Sequence, residues 1–263
     1  TGQEVTAAVV SNMTRGRSCS CLMAEKAETD VFPIDMGIAC EVEHRGELHP
    51  LTERKIRRGT SNFTKAAAMT RQEVLTAILT GIDAVRVLKE QGYRLSAVGE
   101  MGIGNTTTSS AVASVLLQKE PELVTGAGAG LDSAGLKRKT EAIRRGIGLH
   151  HPDPMDGMEV LQKVGGFDLA AMAGAFLGGA IYHVPVVIDG VIAAAAAAAA
   201  GRIAPAATDY MLAAHVSAEP ASIWLLDLIG VTPAIQAGLR LGEGTGALAL
   251  FPLLDMALSI YRD

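Results

Sequence analysis

Aromatic residues are scarce in this chain. They make up 4% of its 263 residues, against 49% hydrophobic residues and 29 glycines. This mixture argues against a β-sandwich and favours alanine-rich helices packed closely on a buried sheet. The length suits one large α/β domain, or one domain with a small appendage.

The chain also lacks a positive charge excess, a cysteine framework and a long unbroken apolar run. Its formal net charge of −5 gives no support for binding nucleic acid or an anionic membrane. Three cysteines make no even disulfide set, and no fourth ligand completes a zinc site, which predicts reduced thiols in a cytoplasmic protein with no metal. The longest apolar run, residues 184–200, is broken by Asp189 and Gly190, so no membrane span is expected.

A glycine-rich stretch at residues 99–107, GEMGIGNTT, follows the apolar residues 95–98 and precedes a predicted helix. A strand that ends in such a turn and leads into a helix N-terminus is suited to binding an anion. Asn105 stands where a phosphate loop has lysine, and Thr107 stands where a dinucleotide fingerprint has its third glycine. The stretch therefore predicts a monophosphate site containing Glu100, or else a tight turn without a ligand.

A second glycine-rich passage, residues 126–135, precedes a helix with five basic side chains. A lysine of this helix either supplies the positive charge that is missing at Asn105, or belongs to a merely solvated face. Two adjacent histidines, His150 and His151, lie in a proline-rich turn that is poorly suited to binding a metal.

Other segments predict the remaining elements. The sequence TRQE at residues 70–73 is a capping box for a helix that ends before Gly92, and residues 193–200 are eight alanines expected in a buried helix. Buried parallel strands are expected at 95–98 and 184–188, with further strands at 30–34 and 210–216. Residues 40–64 predict an exposed polar excursion, and residues 217–220 predict the cap of a helix that continues to Leu228.

Glu243 lies between two glycines, just before a predicted terminal helix at 247–260. Flanking glycines permit an unusual backbone and leave the carboxylate exposed to a neighbouring cleft, which suits a general base. The same position equally suits an acid that is stabilised by the helix dipole. The residues alone leave both interpretations open.

Four passages together resemble one known family: VGEMGIGNTT at 98–107, KVGGFDL at 163–169, HVSAE at 215–219 and RLGEGTGA at 240–247. In this order they resemble the nicotinate-nucleotide–dimethylbenzimidazole phosphoribosyltransferases, the CobT family of cobalamin nucleotide-loop assembly. The resemblance extends from Val5 to Tyr261 and implies a Rossmann-like three-layer fold around a parallel sheet. It also implies a homodimer, and a small helical subdomain formed by about residues 1–27 and 246–263 within one domain spanning 1–263.

The resemblance implies a reaction without metal or cofactor. Nicotinate mononucleotide donates its 5-phosphoribosyl group to 5,6-dimethylbenzimidazole, giving α-ribazole 5′-phosphate and nicotinate with inversion at the anomeric carbon. Glu243 matches the family's general base and Glu100 its second acid. The substrate-binding positions carried over are Gly102, Ile103, Gly104, Asn105, Thr106, Thr107, Lys139, Leu241 and Gly242, with Lys139 at the nucleotide phosphate and Leu241 at the benzimidazole.

Two departures from the family pattern bear on the acceptor base. The family's N-terminal segment, which supplies part of the small domain and a serine of the base pocket, would precede Thr1 and is missing from this sequence. The family glutamine that also contacts the base aligns near Val9. They motivate an alternative, a non-catalytic nucleotide-binding fragment or sensor of the same fold. An NAD-linked oxidoreductase is disfavoured because the third fingerprint glycine is absent.

Overall fold

The computed structural model describes Gly2 and residues 4–43, 48–128 and 130–262. The helices are α1 (Glu4–Thr14), α2 (Cys19–Lys26), α3 (Arg71–Glu90), α4 (Asn105–Leu117), α5 (Pro121–Val124), α6 (Ser133–His150), α7 (Gly157–Val164), α8 (Phe167–Tyr182), α9 (Val191–Ile203), α10 (Ser222–Leu228) and α11 (Thr245–Arg262). The strands are β1 (Ile34–Asp35), β2 (Thr52–Glu53), β3 (Ser96–Val98), β4 (Val186–Ile188) and β5 (Met211–Ala213), and a 3-10 helix covers Pro205–Tyr210.

A parallel sheet with the strand order β3-β4-β5 forms the centre of the fold. Its middle strand, β4, is buried along its whole length, as expected of a parallel strand covered on both faces. Val186 and Ile188 pack into the main core, whereas Val187 packs with the inner faces of α2 and α11. Successive residues of a strand point to opposite faces, so helices cover both sides of the sheet. The predicted three-layer α/β fold is confirmed.

The helices on the main core face pack unusually closely. A Cβ added to Gly81 of α3 would lie 1.9 Å from the carbonyl oxygen of Ala171, and one at Gly174 of α8 would lie 2.0 Å from that of Ile78. Glycine is therefore required where α3 and α8 cross. The glycines of α8 serve both neighbours, because Gly174 and Gly178 lie against α3 and Gly179 lies against Val186 of the sheet.

Several predicted elements are present as expected. Thr70 and Glu73 form both bonds of the capping box at the start of α3, and each of the eight alanines at 193–200 is at most 2% exposed. The structure also shows a side-chain cap on α7, where the amide of Glu159 donates to Asp156 Oδ1 at 2.9 Å. Burial of the alanine run fits its role between α4, α7 and α8.

Other predictions need correction. In place of the strand expected at 30–34, the structure has the two-residue strand β1, Ile34–Asp35. It pairs with β2, which lies inside the segment predicted to be an exposed excursion. That segment is partly anchored, because Arg57 donates to Glu73 Oε1 at 2.5 Å and its guanidinium lies 5.4 Å from the ring centre of Phe167. The strand expected at 210–216 covers only Met211–Ala213.

The helix predicted after residues 217–220 begins later, at Ser222, and its N-cap residue Ala221 has no polar side chain to cap it. The hydroxyl of Ser222 instead accepts a hydrogen bond from the amide of Ser217 at 3.0 Å. This bond holds the loop before α10 together, so the cap motif closes a turn and does not begin a helix.

The two ends of the chain meet on one side of the sheet. Ala24 of α2 packs with Leu248 and Phe251 of α11 in a cluster that also includes Val187 of the sheet. A separate small subdomain made from these ends stays a prediction. Within the described residues, no helix combines the length and the apolar character needed to cross a membrane.

Candidate active site

The glycine-rich stretch after β3 leads into α4 as predicted. Gly104 has a φ of +106° and is the N-cap of α4, where its lack of a side chain leaves the first turn without a side-chain cap. Gly104 is exposed, and Asn105, Thr106 and Thr107 are each partly buried. The amide of Ile103 donates to Thr6 Oγ1 at 3.0 Å, so this amide is already satisfied by α1.

Glu100 lies inside this loop and is paired with a second acid. Its carboxyl group hydrogen-bonds with Asp168 in the first turn of α8, and it accepts bonds from the amide of Gly102 and the side chain of Asn105. Burial raises the pKa of Glu100, and the nearby charge of Asp168 raises it further. Burial also raises the pKa of Asp168, although bonds from backbone amides and from Glu100 oppose that shift. Both pKa values are therefore shifted toward the protonated forms of the two acids.

Lys139 reaches this loop from α6. Although lysine is seldom buried, Lys139 is only 6% exposed, and its Nζ donates to Thr106 Oγ1 and to the carbonyl of Gly126, both at 3.0 Å. Burial lowers the pKa of Lys139, and the nearby carboxylate of Glu219 opposes that shift. Lys139 fits the interpretation that a lysine of this helix brings positive charge to the glycine loop, because its ammonium group donates to Thr106 in that loop. Lys137 and Arg138 on the same helix are both exposed.

The turn that carries Glu243 has three consecutive residues in the left-handed region. Their φ angles are +88° for Gly242, +58° for Glu243 and +80° for Gly244. Glu243 Oε2 accepts bonds from the amide of Ser20 at 3.3 Å and from its hydroxyl at 3.4 Å. The carboxylate therefore lies at the N-terminal turn of α2 and not on its own helix, α11.

The Glu243 turn contacts the glycine loop directly. The amide of Glu243 donates to the carbonyl of Glu100 at 3.3 Å, and a Cβ on Gly99 would lie 2.3 Å from the amide nitrogen of Gly244. Only glycine at position 99 permits this approach. The fold thus brings together the two acids that the sequence singled out, and Leu241, in the same turn, is 61% exposed beside them.

Sequence reasoning did not assign a site role to Asp168, Asp189 or Ser20. Asp168 lies within the KVGGFDL passage and in the first turn of α8, where the helix dipole stabilises an acid, so its position suited an ordinary helix start equally well. Asp189 directly follows the buried strand β4, where ligands of α/β sheets commonly bind. Ser20 carries no local signal, because its contact with Glu243 spans 223 positions of the sequence.

His215 lies beneath the Glu243 turn and is 5% exposed. Within the described part of the chain, its Nδ1 has no hydrogen-bond partner. A Cβ added to Gly246 would lie 2.0 Å from this Nδ1 and 2.8 Å from Asp189 Oδ1, so the histidine and the aspartate flank the start of α11. Burial lowers the pKa of His215, and the charge of Asp189 opposes that shift.

Metal ligands do not cluster here. Across residues 4–43, 48–128 and 130–262, no group of three or more histidine, cysteine, aspartate or glutamate side chains is placed to hold a metal ion. The arrangement instead combines a partly exposed helix N-terminus, one buried cation and two separate carboxylate centres. Such a site can bind a phosphorylated ligand at the loop and accept a proton at Glu243.

Comparison with known proteins identifies the family. A family model described as Phosphoribosyltransferase matches residues 1–263. The nicotinate-nucleotide–dimethylbenzimidazole phosphoribosyltransferase of Clostridium acetobutylicum is 43% identical over 99% of this chain and 73% of its own length. The protein of the same name from Escherichia coli strain SE11 is 40% identical over 99% of this chain and 72% of its own length.

Comparison with solved structures leads to the same family. The crystal structure of CobT from Thermus thermophilus has a TM-score of 0.92 and 39% identity, covering 98% of this chain and 76% of that one. Identity at this level over nearly the whole chain goes beyond likeness of fold. The chain belongs to the nicotinate-nucleotide–dimethylbenzimidazole phosphoribosyltransferase family.

Proposed function

We propose that this enzyme transfers the 5-phosphoribosyl group of nicotinate mononucleotide to 5,6-dimethylbenzimidazole. The products are α-ribazole 5′-phosphate and nicotinate, as in cobalamin nucleotide-loop assembly. The names of its relatives support this reaction over a non-catalytic nucleotide binder or sensor. The observation that carries the proposal is the bond between the Glu243 amide and the Glu100 carbonyl, which joins an acceptor-side carboxylate to a phosphate loop.

The donor nucleotide binds at the glycine loop in this proposal. Its phosphate lies against residues 102–107 at the N-terminus of α4, where the dipole favours negative charge. Lys139 supplies the positive charge from below the loop. Thr106 lies between this lysine and the phosphate, since Lys139 Nζ already donates to the Thr106 hydroxyl at 3.0 Å. The uncharged Asn105 then serves to hold Glu100 through its side-chain amide.

The acceptor base binds beside the Glu243 turn, against Gly242 and the exposed side chain of Leu241. A ring nitrogen of the base attacks the anomeric carbon, and the bond to nicotinate breaks with its electron pair passing to the cationic nicotinate ring. Glu243 takes the proton that the base loses. Because the leaving group is already activated, positioning and this one proton transfer are the protein's main contributions.

Two further properties belong to the same proposal. A homodimer is supported by the family resemblance and by exposed apolar side chains on the last turns of α11, including Met256, Ile260 and Tyr261. Light scattering on the purified protein tests it, and a monomeric mass would contradict it. A cytoplasmic location is supported by three free cysteines.

The reaction is tested by incubating the protein with nicotinate mononucleotide and 5,6-dimethylbenzimidazole, with mass spectrometry of the products. We expect α-ribazole 5′-phosphate and free nicotinate in equal amounts. Nicotinate without ribazole phosphate would indicate hydrolysis, and neither product, with nucleotide binding retained, would contradict the transferase proposal in favour of a binder.

A further inference from the structure

The backbone around Glu243 requires external support. Gly242, Glu243 and Gly244 all have positive φ, and glutamate is disfavoured in that region. A turn of this kind holds one conformation only when its surroundings fix it. The position of the Glu243 carboxylate therefore depends on whatever fixes the turn.

Asp189 makes long-range side-chain contacts that fix this turn from below, beside the local bond from the Thr245 hydroxyl to the Gly242 carbonyl. Its Oδ2 accepts a bond from the amide of Gly244 at 3.2 Å, while Oδ1 accepts bonds from Gly246 at 2.7 Å and Ala247 at 3.1 Å. The contact spans 55 positions of the sequence, and Asp189 is 5% exposed at the carboxyl end of β4. One buried carboxylate thus caps α11 and holds the residue that follows Glu243.

The division of these bonds between the two oxygens is informative. The oxygen Oδ1 acts only as a helix cap, because it accepts bonds from two amides in the first turn of α11. The bond from Gly244 to Oδ2 adds a contact to the turn itself. On the opposite side, the carbonyl of Glu100 accepts from the amide of Glu243 at 3.3 Å, so the turn is held from two strand ends.

We infer that Asp189 is a positioning residue for the transfer reaction: its Oδ2 holds the Gly242–Gly244 turn so that the Glu243 carboxylate faces the acceptor base. The inference rests on the proposed function, in which Glu243 is the general base. Asp189 contacts neither substrate, and its effect on turnover passes through Glu243. In the described structure the hydrogen bonds of Asp189 come from Gly244, Gly246 and Ala247 and not from residues 102–107 or Lys139, so we expect nucleotide binding to change little when Asp189 is altered.

The substitution Asp189→Asn separates the cap from the turn contact. Asparagine has one acceptor oxygen, which can stay on Gly246 and Ala247, and its amide group then places a donor against the donor of Gly244. We expect kcat to fall about 10- to 100-fold through displacement of the base, with KM for nicotinate mononucleotide nearly unchanged. Gly244→Ala strains the same turn with Asp189 intact, and we expect the same loss of kcat.

The decisive measurement is the double-mutant cycle of Asp189→Asn with Glu243→Gln. If Asp189 acts through Glu243, adding Asp189→Asn to Glu243→Gln lowers kcat no further. A merely structural role would lower kcat in both backgrounds by the same factor, and that result would overturn the inference. Asp156→Asn, which alters the cap of the distant helix α7, is the matched control and keeps wild-type kcat.

The outcomes distinguish the inference from the function on which it rests. Full activity of Glu243→Gln would remove Glu243 as the base and contradict the proposed mechanism. An inactive Glu243→Gln beside a fully active Asp189→Asn would overturn only the role of Asp189. Thermal unfolding of each variant is recorded alongside. If Asp189→Asn does not fold, Gly244→Ala takes its place in the double-mutant cycle with Glu243→Gln. Equal loss of kcat from Gly244→Ala in both backgrounds would then overturn the inference that this turn acts through Glu243.

Discussion

The glycine loop and the Glu243 turn are built in different ways. In the glycine loop, the bond between Asn105 and Glu100 joins residues five positions apart, and Lys139 lies 33 positions from Thr106. The Glu243 turn is held by Ser20 and Asp189, which lie 223 and 55 positions away. The proposed donor side therefore combines local bonds with longer ones, such as the bond from Ile103 to Thr6, 97 positions away. On the proposed acceptor side, the groups that hold the Glu243 carboxylate and the Gly244 amide both come from distant segments.

This contrast predicts that the two sides fail separately. A substitution on the donor side should weaken nucleotide binding, and one on the acceptor side should lower turnover at saturating nucleotide. The following variants test this separation, beginning with the largest expected effect.

Glu243→Gln removes the proposed base and keeps the shape of its side chain. We expect kcat to fall about 100- to 10,000-fold, the usual contribution of a general base. The side-chain oxygen of the glutamine can still accept the bonds from Ser20, so the turn should keep its shape. Nucleotide affinity should therefore stay at the wild-type value when it is measured by calorimetry with nicotinate mononucleotide. A parallel loss of affinity would show that the two sides are not separable.

Lys139→Met removes the buried cation but keeps an apolar side chain of similar length. Loss of charged hydrogen bonds to the phosphate should raise the nucleotide KM about 10- to 100-fold. Lys137→Met, on the more exposed face of the same helix, is the matched control and should leave KM unchanged. Equal effects of the two variants would mean that α6 acts only through its general charge.

The same contrast explains what the sequence could predict. Local signals located α3 by its capping box, β4 by its apolar run and the glycine loop by its spacing. The family resemblance added Lys139 and Glu243, whose roles spacing alone left open. Contacts between distant segments, such as Ser20 with Glu243, leave no local pattern, because each residue also suits an ordinary helix turn.

Errors in the fold have a related cause. Residues 40–64 are polar enough to predict an exposed excursion, yet Arg57 from this segment binds Glu73 and lies over Phe167. A charged side chain becomes an anchor only when the fold supplies a buried partner. Residues 44–47 of this segment lie outside the described residues.

Asp168→Asn tests the paired acids beneath the glycine loop through pH. In the folded protein, burial raises the pKa of Glu100 above 4.5 and that of Asp168 above 3.8, so the folded state retains protons that the unfolded chain releases. This contribution to stability is complete below those ordinary values and is lost as the pH rises through the raised ones.

We therefore expect the wild-type melting temperature to fall with rising pH more steeply than that of Asp168→Asn. Each unit of pKa shift that the substitution removes corresponds to about 1.4 kcal/mol. Asp255→Asn, which removes an exposed carboxylate on α11, controls for net charge. Identical slopes for wild type and Asp168→Asn would show that the Asp168 carboxyl group does not contribute to the raised pKa values of this pair.

The smallest expected effect comes from Gly128→Ala, which tests how closely the second glycine-rich passage approaches the phosphate site. Gly128 has a φ of +54°, and an added Cβ would lie 2.7 Å from Thr106 Oγ1 and 3.5 Å from Lys139 Nζ. Gly130, with a φ of +91°, has nothing within 4 Å of its added Cβ. Alanine should cost about 1–2 kcal/mol of stability at either position, because the left-handed region disfavours it.

Only Gly128→Ala should displace Thr106 and raise the nucleotide KM, by a few-fold, with kcat unchanged. The comparison with Gly130→Ala separates contact with the phosphate site from backbone strain, since both substitutions strain the same loop. An equal rise in KM for both would mean that loop strain alone weakens binding. The donor side would then depend on its surroundings as much as the Glu243 turn does.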